Sequence, residues 1–360
     1  MASDLFPFPP ASVALPAASL AAPADAANPW RGKQVLITGG LGFIGSNLAR
    51  RLVAADAHVT LVDSLIPEYG GNPFNIHDIR GRVQVNVADV RDHHSIDYLV
   101  QGQDVLFNLA GQTCHLDSIR DPLTDMEINC RAQLSILEAC RRKNPDIKVV
   151  FSSTRQIYGV PRYLPVDEQH PLSPIDVNGI NKLAGENYHL LYHRLHGLHT
   201  CVLRLTNTYG PRMRVKDDRQ TFLGVWFMRL VSGLPLKVFG DGLQIRDFNF
   251  VDDVVDAMML CALDPRANGQ VFNLGAPDWL SLRDLAAAMV ELHGGQGRYE
   301  IVPFPPERKA IDIGSYYSDY RLASERLGWQ PRVSMREGIA RTLAFYAEHR
   351  KHYWNSPETA

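Results

Sequence analysis

The 360-residue chain is poor in cysteine: Cys114, Cys130, Cys140, Cys201 and Cys261 are odd in number and form no CxxC pair, which excludes a disulfide framework. A reducing, cytoplasmic compartment is therefore expected, with most thiols serving as small core residues. Long apolar runs are also missing. None approaches the roughly 20 residues that span a bilayer, so no membrane partner is expected. Nor is there an excess of one charge: the net value of −2 gives no sign of a nucleic-acid partner. The local cluster Arg141-Arg142-Lys143 reads as a helix end, where cations suit the dipole. Among the 13 histidines, His58, His77, His93, His94, His170, His293 and His349 have no metal-ligand spacing, and no metal is assigned. Residues 1–30 contain no Lys or Arg, and Pro9, Pro10, Pro16 and Pro23 interrupt any apolar centre. They are expected to form a disordered extension rather than a secretory signal.

What is present is 45% apolar content, enough for one large core and a smaller lobe. The chain is organised around Val35–Asp63. An apolar run ends in Thr38-Gly39-Gly40-Leu41-Gly42-Phe43-Ile44-Gly45, a helical pattern follows, and His58-Val59-Thr60-Leu61-Val62 leads to Asp63. This reads as strand, glycine turn, helix, strand and acid. Gly39 permits the tight turn, Gly42 the approach of a pyrophosphate to a helix N-terminus, and Gly45 close helix–sheet packing. Asp63 is placed to accept hydrogen bonds from a ribose diol. Its charge disfavours a 2′-phosphate, so the expected cofactor is NAD.

Apolar β-branched segments alternate with amphipathic ones to about residue 205, the pattern of a doubly wound α/β sheet. Candidate strands are Val83–Val87, Val105–Leu109, Lys148–Ser152 and Thr200–Leu205, with helices over Leu123–Cys140 and Ile180–Leu195. In the first helix Leu134, Leu137 and Cys140 share a face that serves either the core or a partner subunit. Beyond it, helices at Thr221–Val231, Val251–Leu263, Ser281–Leu292 and Met335–His349, with short strands at Leu236–Phe239 and Ile245–Phe250, indicate a smaller lobe. The expected division is 1–30 extension, 31–205 NAD-binding Rossmann domain, 206–350 mainly substrate lobe with chain returning to the sheet, and 351–360 tail. A ligand would lie in the crevice between the lobes.

Several phrases together resemble one family. They are the glycine loop, Ala88-Asp89-Val90, Asn108-Leu109-Ala110-Gly111-Gln112, Phe151-Ser152-Ser153-Thr154 with Tyr158-Gly159, Lys182-Leu183-Ala184-Gly185-Glu186, Arg204–Pro211, Gly240–Phe248, Val251-Asp252-Asp253-Val254 and Leu327-Gly328-Trp329. In this order they resemble the extended short-chain dehydrogenase/reductases, the NAD-dependent nucleotide-sugar epimerases and dehydratases. The resemblance implies that Gly39, Gly42, Phe43, Ile44, Gly45, Asp63 and Ser64 hold the cofactor, with Asp89 and Val90 at the adenine and Leu109-Ala110 beneath it. It implies that Asn129 and Ser152 line the nicotinamide side, that Thr154 bonds the reacting sugar oxygen, and that Lys182 holds the nicotinamide ribose. Asn207, Arg246 and Arg308 would grip a nucleotide-diphosphate sugar, the arginines on its diphosphate. It further implies a homodimer, paired through the Leu123–Cys140 helix and the one carrying Lys182. Each residue also has an ordinary reading: Asp89 as a turn former, Asn129 as a helix-solvating amide, Arg246 as half of an exposed ion pair.

One departure bears on mechanism. Members of this family carry a proton-shuttling tyrosine four residues before the lysine, and here that position is Asn178. An amide cannot accept and return a proton near neutral pH. Candidate replacements are Tyr158, Tyr209, Asp176 and, foremost, Cys114 and His115; Lys182 could act if desolvated. The acids of the related dehydratases and decarboxylases, expected just after Thr154, are replaced by Arg155 and Gln156, which disfavours elimination. Asn207–Met213 nonetheless resembles uronate decarboxylases and, with Arg155, leaves a carboxylate-bearing sugar open. The expected activity is epimerisation through a transient keto sugar. Decarboxylase or dehydratase chemistry and a catalytically silent nucleotide-sugar binder are the alternatives.

Overall fold

The computed structural model describes residues 28–217, 221–295 and 297–354. The extension expected over residues 1–30 lies outside them up to residue 27, but its last residues are built into the fold. Asn28 donates through Nδ2 to the Ala55 carbonyl (2.7 Å), and Trp30 is buried against Phe107. Likewise the first residues of the expected tail are packed: Tyr353 and Trp354 are buried, and the Tyr353 hydroxyl donates to Asn75 (2.7 Å).

Along the chain run β1 (Gln34–Thr38), α1 (Phe43–Ala54), β2 (His58–Asp63), β3 (Val83–Val87), α2 (His93–Leu99), β4 (Val105–Asn108), α3 (His115–Arg120), α4 (Pro122–Met126), α5 (Ala132–Lys143), β5 (Lys148–Thr154), α6 (Val177–His196) and β6 (His199–Leu205). Then follow β7 (Asn207–Tyr209), α7 (Phe222–Val231), β8 (Leu236–Phe239), β9 (Ile245–Phe250), α8 (Val251–Leu263), β10 (Gln270–Asn273), β11 (Trp279–Ser281), α9 (Leu282–Leu292) and β12 (Tyr299–Val302). Seven strands form one parallel sheet in the order β10-β6-β5-β4-β1-β2-β3. Val35, Leu36 and Ile37 have no exposed surface, because helices cover both faces of a parallel sheet. Strand order reverses between β1 and β4, where Thr38 pairs with Asn108, and this opens the crevice at the strands' carboxyl ends.

Two helices differ from expectation for identifiable reasons. The rod expected over Leu123–Cys140 begins at Pro122, with Asp121 accepting from the Thr124 N–H (3.1 Å), and contains one π-turn over Glu127–Arg131. Helix α6 starts at Val177 rather than Ile180 because Asp176 caps it, accepting from the Gly179 N–H (2.7 Å). Leu137 and Cys140 prove to be core residues. Exposed apolar side chains lie instead at the starts of the two helices, with Leu123 68% and Ile180 54% accessible.

Outside the large sheet lie a three-stranded sheet, β11-β9-β7, and a pair, β12-β8. Several family phrases act here as structure. Trp329 is buried and donates to the Asp253 carbonyl (2.8 Å), while the Asp253 carboxylate accepts from the Arg332 and Val333 N–H groups. Glu186 forms a buried ion pair with Arg204 (2.5 Å) and accepts from Ser153.

Candidate active site

At the switch point the glycines stand where side chains would collide. A Cβ on Gly45 would meet the Gly39 carbonyl oxygen at 2.3 Å, and one on Gly39, whose φ is +69°, would meet the Ala110 nitrogen at 3.1 Å. Gly42 begins α1 with no capping side chain, leaving the first-turn N–H groups toward the crevice. Asp63 accepts from the Leu41 N–H through Oδ2 (3.1 Å) and the Leu65 N–H through Oδ1 (3.0 Å). Burial raises its carboxyl above the ordinary range against the pull of those two donors. Phe43, Ile44, Ser64, Asp89, Val90, Leu109 and Ala110 complete this wall. The Arg91 guanidinium grips the Asp89 carboxylate (3.0 and 2.6 Å) and holds it below the usual range, although partial burial opposes this. Sequence reasoning missed the Tyr69-Gly70-Gly71 segment, which closes over Asp63 so tightly that a Cβ on Gly71 would lie 2.5 Å from its Oδ1. The spaces around Gly39, Gly42 and Gly45 and the fixed acid fit a dinucleotide.

The far end of the same pocket is walled by Ser152, Thr154, Asn178 and Lys182. Lys182 donates to the Ser152 carbonyl (2.8 Å) and lies over the Phe151 ring. Burial lowers its ammonium pKa to about 8, although Asp125 and Glu186 favour the charge. The Asn178 amide nitrogen is committed: Nδ2 donates to the Gln112 carbonyl (2.8 Å) and to Asp125 Oδ2 (3.0 Å). Asp125 is buried and also accepts from Asn129 (3.1 Å) and Asn181 (2.8 Å), so three amides surround one carboxylate. Asn129, expected on the nicotinamide wall, stands one layer behind it, held by the π-turn behind Gly111, where it also donates to the Gln112 carbonyl.

The candidate bases separate clearly. Tyr158 is buried, donates to Asn273 (2.7 Å) and accepts from Arg204, and burial pushes its phenol up to about 12. Tyr209 is buried against the Met335 carbonyl, and burial raises its phenol too. The Cys114 sulfur caps α3, accepting from the Asp117 N–H (3.4 Å), and burial pushes the thiol up to about 11. His115 is different. It lines the pocket with its side chain one-third exposed, and its Nδ1 lies 2.9 Å from Asp176 Oδ2, the ring being turned off the hydrogen-bond line. Asp176 is anchored from two other sides, by the Gly179 N–H and by Gln156 Nε2 (2.8 Å). Burial would raise its carboxyl, but His115 and the other donors outweigh this and hold it below the usual range.

A second chamber adjoins the first, and His115, Arg155, Gln156, Asn207 and Thr221 belong to both. Arg246 and Arg308 line it. Arg246 pairs with Asp312 (3.1 Å) and donates to the Ile245 carbonyl, and its burial lowers its pKa to about 10. Arg308 lies over the Phe239 ring. Asn207 donates to the Asp247 carbonyl (3.1 Å) and accepts from Arg155 (3.2 Å).

Residues 35–275 match the NAD dependent epimerase/dehydratase family model. The chain is 33% identical over 311 residues to a putative UDP-glucose 4-epimerase of Methanocaldococcus jannaschii, covering 86% of this chain and 97% of that protein. To the UDP-glucose 4-epimerase of Mycolicibacterium smegmatis it is 34% identical over 316 residues, 87% and 98% of the two. dTDP-glucose 4,6-dehydratases and uronate decarboxylases also match over most of the chain. The crystal structure of Thermotoga maritima UDP-glucose 4-epimerase with UDP-glucose superposes with a TM-score of 0.81 at 29% identity, over 88% of this chain and 99% of that one. The chain therefore belongs to the NAD-dependent epimerase/dehydratase family of nucleotide-sugar enzymes.

Proposed function

We propose that the protein is an NAD-dependent nucleotide-sugar epimerase in which His115, beside the Asp176 carboxylate, carries the proton that a tyrosine carries elsewhere in the family. The observation behind this reading is that His115 lies on the wall common to both chambers with the Asp176 carboxylate behind it, 2.9 Å from its Nδ1, whereas the Asn178 amide nitrogen is tied to Gln112 and Asp125. Bound along Gly39, Gly42, Gly45 and Asp63, NAD would supply a hydride acceptor and donor for the carbinol carbon. Thr154 orients the reacting oxygen, and Lys182 holds the nicotinamide ribose. His115 takes the carbinol proton and gives it back after the sugar has turned over, and Asp176 stabilises the imidazolium formed meanwhile. Asn207, Arg246 and Arg308 grip the sugar nucleotide, the two arginines on its diphosphate. A silent binding protein is the second reading, favoured by the committed amide of Asn178.

Incubation with NAD and a panel of UDP-, CDP-, GDP- and dTDP-sugars deuterated at the carbinol carbon tests this. An epimer that retains the label, with no net NADH, is expected. Release of water or CO2 would point to a lyase, and tight binding without turnover to the silent protein.

Asp63 is expected to set cofactor choice. Asp63→Asn should erode the preference for NAD over NADP by about tenfold or more, because a charge-assisted hydrogen bond is worth ~1.5–3 kcal/mol. Calorimetry with both cofactors measures it, and an unchanged ratio would remove the assignment. The exposed Leu123, Met126 and Ile180 suit a second copy of the chain across the two helices. Sedimentation at micromolar concentration should give a dimer and Ile180→Glu a monomer; a wild-type monomer would contradict the pairing.

A further inference from the structure

Arg155 stands where the related dehydratases carry an acid. Its guanidinium projects into the wall between the cofactor chamber and the chamber of Arg246 and Arg308, directly after Thr154. Its Nη1 is inaccessible to solvent and has no hydrogen-bond partner, and Arg155 forms no ion pair with a carboxylate among the described residues. Its contacts are a single neutral acceptor, Asn207 Oδ1 at 3.2 Å through Nη2, and the face of Tyr316 at 5.3 Å. The neighbouring acids favour its charge from a distance but none hydrogen-bonds to it. Asp312 is taken by Arg246, Asp176 by Gln156 and the start of α6, and Asp247 accepts from the Ser318 N–H through Oδ2, its Oδ1 being buried without a partner. Burial pushes the Asp247 carboxyl up to about 7, against the pull of the Ser318 N–H and of Arg155.

A buried guanidinium with an unused donor is costly unless an anion arrives with the ligand. The diphosphate already has Arg246 and Arg308, which line only the second chamber. Arg155 lies farther in, beside the threonine placed at the reacting carbinol, where the sugar ring itself would sit. We propose that Arg155 binds a carboxylate carried by that ring, so that the substrate is a nucleotide hexuronate rather than a neutral hexose. A planar fork matches a carboxylate with two parallel hydrogen bonds, and a neutral hydroxymethyl in the same place leaves one donor unmet. This inference rests on the nucleotide-sugar reading above.

Calorimetry of the NAD-loaded protein with UDP, UDP-glucose and UDP-glucuronate tests it, alongside glucose 1-phosphate and glucuronate 1-phosphate, which make the comparison without a base. The uronate of each pair should bind at least tenfold tighter. In Arg155→Gln that advantage should fall to within about threefold while UDP affinity is unchanged. Equal binding of the two sugars to the wild-type protein overturns the proposal whether or not the variant folds. So does an Arg155→Gln loss shared by UDP, which would place Arg155 on the diphosphate, and so does failure of both 1-phosphates to bind. If no nucleotide binds but the 1-phosphates do and the uronate is preferred, the nucleotide-sugar reading falls while the carboxylate site stands.

Discussion

Replacing His115 by asparagine should lower turnover of the cognate nucleotide sugar by about 10²–10⁴-fold, the range that general acid–base assistance supplies. NAD and nucleotide affinity should stay within about threefold of wild type, since no cofactor or diphosphate contact is assigned to the imidazole. Asparagine keeps a polar group near Asp176 Oδ2 but cannot carry the proton. The smaller variant His115→Gly adds a chemical readout: free imidazole should restore part of the activity in a saturable way, which a purely structural defect would not allow. Asp176→Asn is expected to act more mildly, by about 10–100-fold, the range seen when the partner orienting a functional histidine is lost. Asparagine is as good an N-cap as aspartate, so α6 should keep its start at Val177. Full activity in His115→Asn would end the proposed role. Were activity instead to fall in Cys114→Ser, the thiol would be implicated despite its raised pKa.

How much of this was legible beforehand follows the range of the interactions. The glycine turn, β1, β2 and Asp63 are specified within thirty residues by local turn chemistry and apolar runs, and the structure places them where the pattern does. Val83–Val87, Ile245–Phe250, Val251–Leu263 and Met335–His349 keep their expected bounds for the same reason. Of the strands left out of the sequence reading, Asn207–Tyr209 and Trp279–Ser281 are three residues long, too short for alternation to register. At the site, the lining by Thr154, Lys182, Arg246 and Arg308 was readable from phrases. The network behind it was not, because Asn178 meets partners 53 and 66 residues away in the chain, Asp125 and Gln112. Only the helical spacing of Asp125 with Asn129, and of Asn178 with Asn181, hinted that these polar groups share a buried face. Asn129 was misplaced by one layer because the π-turn that sets it behind Gly111 leaves no mark in the periodicity.

That network decides what Asn178→Tyr should do, and loss rather than gain is expected, by about tenfold or more in turnover. Tyrosine supplies one donor in place of an amide, and its length carries that donor past Asp125. Asp125 Oδ2 would then keep only Asn129 of its two donors. Losing a hydrogen bond to a buried charge costs about 1.5–3 kcal/mol, so a lower Tm should accompany the loss of activity. The new ring would also occupy the pocket wall beside Lys182, where the sugar carbinol must reach His115. Thr154→Val supplies the control, since it removes the hydroxyl at the reacting oxygen without disturbing Asp125 and should depress turnover strongly. The deciding comparison is the double variant His115→Asn with Asn178→Tyr. If imidazole and phenol belong to alternative arrangements, the pair should be no more active than His115→Asn alone. Recovery of activity in the double variant, or a large gain in Asn178→Tyr by itself, would identify a silenced tyrosine enzyme and remove His115 from the reaction. Unchanged activity in both Asn178→Tyr and Thr154→Val would move the chemistry away from this end of the pocket altogether.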